Sequence, residues 1–132
     1  MSAPARRIAT VALVVRDYDE AIAWYVEKLG FSLHQDIDLG DGKRWVVVGL
    51  GGEGARVLLA QAKDEHELSR VGDQTGGRVF LFLETDDFDR DHQEMRERGV
   101  TFREGPRREG YGTVAVFSDL YGNLWDLIEP KR

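Results

Sequence analysis

Apolar positions recur along this chain with two periods, and the switches between them mark out its elements. Ile8 to Val15 is a β-branched run that stops at Arg16-Asp17, which predicts a strand running into a helix cap. Asp17 and Glu20 form a capping pair, and Tyr18, Ile22, Tyr25 and Leu29 recur at helical spacing. The pattern predicts a helix from about Asp19 to Leu29, ended by Gly30. Phe31 to Leu39 and Arg44 to Gly49 read as strands joined by a Gly40-Asp41-Gly42 turn, and Arg56 to Gln61 as a further strand after the glycines at 51–54. The order so far is β-α-β-β-β.

Residues 62–77 are polar and glycine-punctuated, a connector with a short helix predicted from Asp64 to Val71. The pattern then repeats. Arg78 to Thr85 reads as a strand, Asp86-Asp87 as a cap, Phe88 to Arg98 as a helix stopped by Gly99, Val100 to Arg107 as a strand, and Thr113 to Glu129 as a closing hairpin. Asp17 maps onto Asp87 at an offset of 70 residues, and the same shift carries Tyr18, Ile22 and Tyr25 onto Phe88, His92 and Met95. Matching helix faces at one offset indicate an internal duplication. The chain is thus expected to be one α+β domain over 1–132, with a first βαβββ module at 1–61, a connector at 62–77 and a second module at 78–132.

Neither module can cover both faces of its sheet with one helix, so the expected solution is a curved mixed sheet backed by helices around a cup-shaped cavity. The modules are expected to lie edge to edge. Val11, Leu13 and Val15 should face the helix and Thr10, Ala12 and Val14 the cup; in the second module Leu81, Leu83 and Thr85 should face the helix and Phe80, Phe82 and Glu84 the cup. In the closing hairpin, Leu124, Asp126 and Ile128 share one face and Trp125, Leu127 and Glu129 the other. A carboxylate among apolar neighbours is exposed in a cavity, paired, or liganding something, since burying it alone is costly.

Composition narrows the function classes. A chain of 132 residues buries roughly two thirds of its unfolded surface, enough for one core. No apolar run approaches the roughly 20 residues of a membrane span, and the start, Met1 to Arg7, has no signal-type hydrophobic segment, so a cytoplasmic location is expected. Without cysteine there is no disulfide and no thiolate nucleophile or ligand. The net charge of -6 argues against nucleic-acid binding. Gly49 to Gly54 fits G-x-G-x-x-G, but a strand rather than a helix follows it, so it reads as a hairpin loop. The histidines, His34, His66 and His92, do not cluster, and no serine has an adjacent base. Of the aromatics, Trp24 and Trp125 read as core, whereas Trp45, Phe80, Phe82 and Tyr111 are candidates for apolar cup walls.

Val15-Arg16-Asp17, Ala21 to Tyr25 and Leu29-Gly30-Phe31, followed by Asp119 and Tyr121 to Leu127, resemble the two module signatures of the vicinal oxygen chelate superfamily, which groups glyoxalases, bleomycin-resistance proteins and extradiol dioxygenases. The resemblance covers nearly the whole chain. It implies a cup whose enzymes hold a divalent metal at four strand positions, and these map onto Thr10, Phe80, Asp126 and approximately Leu58. One carboxylate, one hydroxyl and two hydrocarbon side chains are a poor ligand set. The implied function is therefore metal-independent binding of a small organic molecule, antibiotic-like or cationic, by a homodimer without cofactor. Thr10, Trp45, Leu58, Phe80, Phe82 and Tyr111 are the candidate ligand-binding residues. The alternative is an enzyme of the same superfamily, a lyase, isomerase or dioxygenase, using Asp126 or Glu84 as a catalytic carboxylate or at a displaced metal site. A third reading has Asp126 simply accepting hydrogen bonds from Arg78 or Thr10.

Overall fold

Asp17 begins the first helix as expected: its side chain accepts from the Glu20 N–H at 2.9 Å, and Gly30 ends the helix in the left-handed region at φ 71°. The structure, a computed structural model, describes residues 5–132; residues 1–4, counted above in the first module and in the reading of the chain's start, lie outside the described residues. The order is β1 (Thr10–Val15), α1 (Tyr18–Leu29), β2 (Ser32–Gly40), β3 (Lys43–Gly49), β4 (Arg56–Gln61), α2 (Glu65–Leu68), β5 (Val79–Glu84), α3 (Phe88–Glu97), β6 (Thr101–Phe102), β7 (Arg107–Glu109), β8 (Gly112–Ser118) and β9 (Leu124–Pro130). The fold is α+β. A four-stranded mixed sheet runs β1-β4-β3-β2, and a five-stranded one runs β5-β9-β8-β6 with β7 also on β8; neither closes into a barrel.

The strand expected over 100–107 is split into β6 and β7. Pro106 has no N–H to give to a ladder and restricts Gly105 before it, while the Arg103 and Glu104 N–H groups both turn to the Val116 carbonyl. The chain therefore leaves the β8 ladder after Phe102 and rejoins it, with four residues between, at Arg107 opposite Val114.

The two sheets are not joined edge to edge by strand pairing. A single buried cluster takes Leu13, Val15, Val46, Val48, Val57 and Leu59 from the first sheet, Ala115, Phe117, Trp125 and Leu127 from the second, and Tyr18, Tyr25, Phe88 and Met95 from the helices. Tyr25 of α1 is fully buried, lies 5.8 Å from Trp125 of β9, and gives its hydroxyl hydrogen to Asp119 at 2.7 Å. Lys28 at the end of α1 donates to the Arg98 carbonyl at the end of α3 at 2.7 Å. α1 and α3 therefore form one layer between the sheets, and the other face of each sheet points away from it. Burying that layer on both sides is what a chain this short must do to gain a sizeable core.

The connector closes the structure at one end. Gln74 caps the free edge of β1, accepting from the Val14 N–H at 3.1 Å and donating to the Ala12 carbonyl, while its own N–H goes to Asn123. Gly72 sits at φ 81° where a Cβ would meet the Tyr121 carbonyl oxygen, so the closing turn and the connector pack backbone to backbone.

Two predictions follow from this core. Replacing Tyr25 by Phe leaves the Asp119 carboxylate short of one donor inside the protein and should lower the unfolding free energy by about 1–3 kcal/mol, read from urea denaturation. His92 is stacked on Phe88 at 5.2 Å and meets the edge of Phe102 at 4.5 Å, and burial holds its pKa below the usual histidine value, with Arg96 adding to the effect. The folded state thus binds this proton more weakly than the unfolded chain. Its stabilisation is complete above the unfolded pKa of about 6.5 and is lost as the pH falls from there through the folded value. The urea midpoint of His92→Phe should accordingly fall less between pH 7 and pH 5 than that of the parent protein.

Candidate functional site

Strand alternation decides what the outward faces carry. In the first sheet the β1 positions Thr10, Ala12 and Val14 pair with Arg56, Leu58 and Ala60 of β4, Leu58 pairs with Val47, and Trp45 pairs with Ile37 of β2. These are the positions left over when Leu13, Val15, Val46, Val48, Val57 and Leu59 turn to the helices. Trp45 is 40% exposed, with its indole N–H held by Gln35 at 3.0 Å, which fixes the ring on this face. A cavity of about 670 Å³ opens at the end of this sheet, lined by Leu39, Trp45, Leu58 and Ala60 and reaching Tyr18 and Leu59 at the core edge, with Asp41, Lys43, Arg44, Lys63 and Glu67 as its charged members. Trp45 and Leu58 therefore share one cavity. Thr10 is exposed on β1, two positions from Ala12, the strand partner of Leu58.

The outward face of the second sheet centres on Asp126. Its neighbours across the ladder are Val116 of β8 and Phe82 of β5, and Phe82 is 63% exposed. Asp126 itself is only 6% exposed, and its Oδ1 is buried with no hydrogen-bond partner, so neither Arg78 nor Thr10 satisfies that atom. Burial pushes the carboxyl above its ordinary pKa; nearby Arg107 pulls it down and Glu104 pushes it up. Arg107 faces the same way as Val114 and Ile128, and is clasped by Glu104 at 2.7 Å and Glu109 at 2.9 Å. Tyr111 lies exposed at the tip of the β7–β8 hairpin, where its carbonyl accepts the Lys131 N–H.

One expected cup residue sits elsewhere. The β5–β9 register slips between Val79 and Leu81, so alternation fails at Phe80, which is half-buried with its ring edge-on to Trp125 at 6.0 Å on the core side. Glu84 is opposite Ile128, on the same strand face as Phe82 and Asp126 as expected, and at the end of β5 it also borders a cleft with Lys28, Glu94 and Arg98; Phe82, not Glu84, lies directly across from Asp126. His34 is within 3.3 Å of the Leu50 carbonyl, His66 lies in α2, and His92 is in its aromatic bracket.

The four positions that carry metal in enzymes of this kind can be tested directly. Thr10 and Leu58 belong to one sheet, Phe80 and Asp126 to the other, and the helix layer separates them. Their chemistry supplies one carboxylate, one hydroxyl and two hydrocarbon groups, and the orphaned Asp126 oxygen has no second donor beside it. Among the described residues no group of three or more His, Asp or Glu side chains could hold a metal ion. This donor set does not fit a divalent ion.

Paired β-α-β units, each contributing one mixed sheet, define a class of α+β scaffolds. The chain belongs to the Glyoxalase/Bleomycin resistance protein/Dioxygenase superfamily, whose model matches residues 7–127. It is 53% identical over 124 residues to an uncharacterised protein of Shewanella frigidimarina, covering 92% of each chain. Among solved structures it resembles UcmS2 at 30% identity and a TM-score of 0.82, over 98% of this chain and 99% of that one. It also resembles TnmS3, an antibiotic binding protein from Streptomyces sp. CB03234, at 30% identity and a TM-score of 0.78, over 98% and 100% of the two chains. No described helix is long and apolar enough to cross a membrane.

The sign of the Asp126 shift yields a stability prediction. Because the folded state holds this proton more tightly than the unfolded chain, its contribution is full below the unfolded carboxyl pKa and is lost as the pH rises through the folded value. Asp126→Asn, which carries no charge to bury, should therefore raise the urea midpoint at pH 7. The gain should shrink as the pH is lowered toward 4.

Proposed function

We propose that this protein is a cytoplasmic homodimer that binds a small, antibiotic-like organic molecule without a metal, in cups that each combine the Trp45 face of one protomer with the Asp126 face of its partner. The observation that carries this reading is the pair of outward faces, which leave Ile37 and Trp45 exposed on the first sheet and Phe82 on the second, on the sides turned away from the buried core. Apolar side chains left exposed on a sheet face mark a binding or association site. Each face is half of an enclosure: one has a tryptophan-walled cavity, the other a phenylalanine and a carboxylate. A two-fold pairing would bring the unlike halves together twice. The similarity to an antibiotic binding protein along the full chain supports the choice of ligand class.

Native mass spectrometry of the purified protein tests the reading in one measurement. The expected species has twice the 15.0 kDa chain mass, carries no stoichiometric divalent metal after chelation and dialysis, and shifts in mass when a bound small molecule is present. A strict monomer would remove the shared cups, and one tightly retained metal per chain would remove the metal-free mode. Truncating Trp45 to Ala should weaken binding of an aromatic ligand by about 1–3 kcal/mol, measured by calorimetry, because the ring is the largest apolar wall of its half.

A further inference from the structure

The Asp126 Oδ1 is a buried acceptor without a hydrogen-bond donor, and the positive charge of Arg107 reaches the carboxylate without donating to that atom. A carboxylate in that position is costly unless something completes it. Arg107 is the nearest candidate, but its guanidinium is already shared between Glu104 and Glu109, so the positive charge on this face is outnumbered by carboxylates. Arg103 turns its Nε to the Ser118 hydroxyl at 3.3 Å. What remains around Asp126 is apolar: Val116 on one side and the exposed Phe82 ring on the other.

Resting on the cup reading above, we propose that Asp126 is the recognition point for a protonated amine carried by an otherwise apolar ligand, with the Phe82 ring beside it as the second contact to the cation. The ammonium supplies the missing hydrogen to the carboxylate and balances the local excess of negative charge. The aromatic face adds a cation–π contact that water does not compete for once the cup is filled. A neutral hydroxyl could satisfy the acceptor but not the charge, and a metal ion would find a single carboxylate where it needs several donors.

Three probes of one shape separate these chemistries: 1-naphthylmethylamine, 1-naphthylmethanol and 1-methylnaphthalene, titrated into the full-length protein at pH 7 by calorimetry. The amine should bind at least about ten-fold more tightly than the hydrocarbon, and Asp126→Asn should erase that advantage, read as the ratio of the two affinities within each protein. Phe82→Leu should reduce the advantage without abolishing it. In the parent protein, carbon NMR of the side-chain carboxyls gives an independent readout should Asp126→Asn fold poorly: the Asp126 signal should move with the amine and stay still with the hydrocarbon. Equal affinity for all three probes, or a preference for the alcohol over the amine, overturns the amine subsite and leaves the apolar cup standing. Failure of every probe to bind overturns the cup reading as well.

Discussion

The hydrogen bond from Tyr25 to Asp119 ties the first helix to the turn of the last hairpin, and much of the architecture depends on it. Asp119 also accepts from the N–H groups of Tyr121 and Asn123 and from the Asn123 side chain, so one buried carboxylate holds the turn and the helix together. The Tyr25 ring then meets both Phe31 and Trp125, at 5.6 and 5.8 Å, and brings the core side of β9 onto α1. A helix that serves two sheets must lie between them. The faces carrying Trp45 and Asp126 are therefore turned outward, in opposite directions.

That geometry shows how far the sequence could be read. The caps at Asp17 and Asp87, the shared offset of 70 and the alternation around Asp126 were legible because each depends on a local period or a local hydrogen bond. The broken strand at 103–106 was legible only in its cause, Pro106, and the slip at Phe80 had no signal at all, since a bulge is set by how two strands settle against each other. Which sheet face meets which helix is a long-range matter. Alternation separates Asp126 from Trp125 but does not say that Trp125 will pack on a helix 100 residues earlier in the chain. Gln74 was hidden for the same reason: in a polar connector nothing marks the one side chain that caps the edge of β1.

The candidate site was read with mixed precision. Phe82 flanks Asp126 as strand parity placed it, and Trp45, chosen as an aromatic, and Leu58, mapped from the family resemblance, line one cavity, whereas Phe80 was assigned by parity and is turned to the core by the slip. The orphaned state of Asp126 lay beyond any sequence argument. Whether a carboxylate is paired depends on where Arg107 goes, and Arg107 goes to Glu104 in the break before β7 and to Glu109 at the end of β7.

These features meet in one energetic point. A fold free to choose would fill the Asp126 position with an apolar residue like its neighbours Val116, Leu124 and Ile128, since an unpaired buried acceptor weakens the folded state. Burial has raised the pKa of the group, and the surrounding glutamates do nothing to relieve it. Strain of this kind persists where an absent partner repays it, and the chemistry of that partner is then the complement of the defect. For an orphaned carboxylate beside an exposed phenyl ring, in a locally negative field, the complement is a cation with an apolar body.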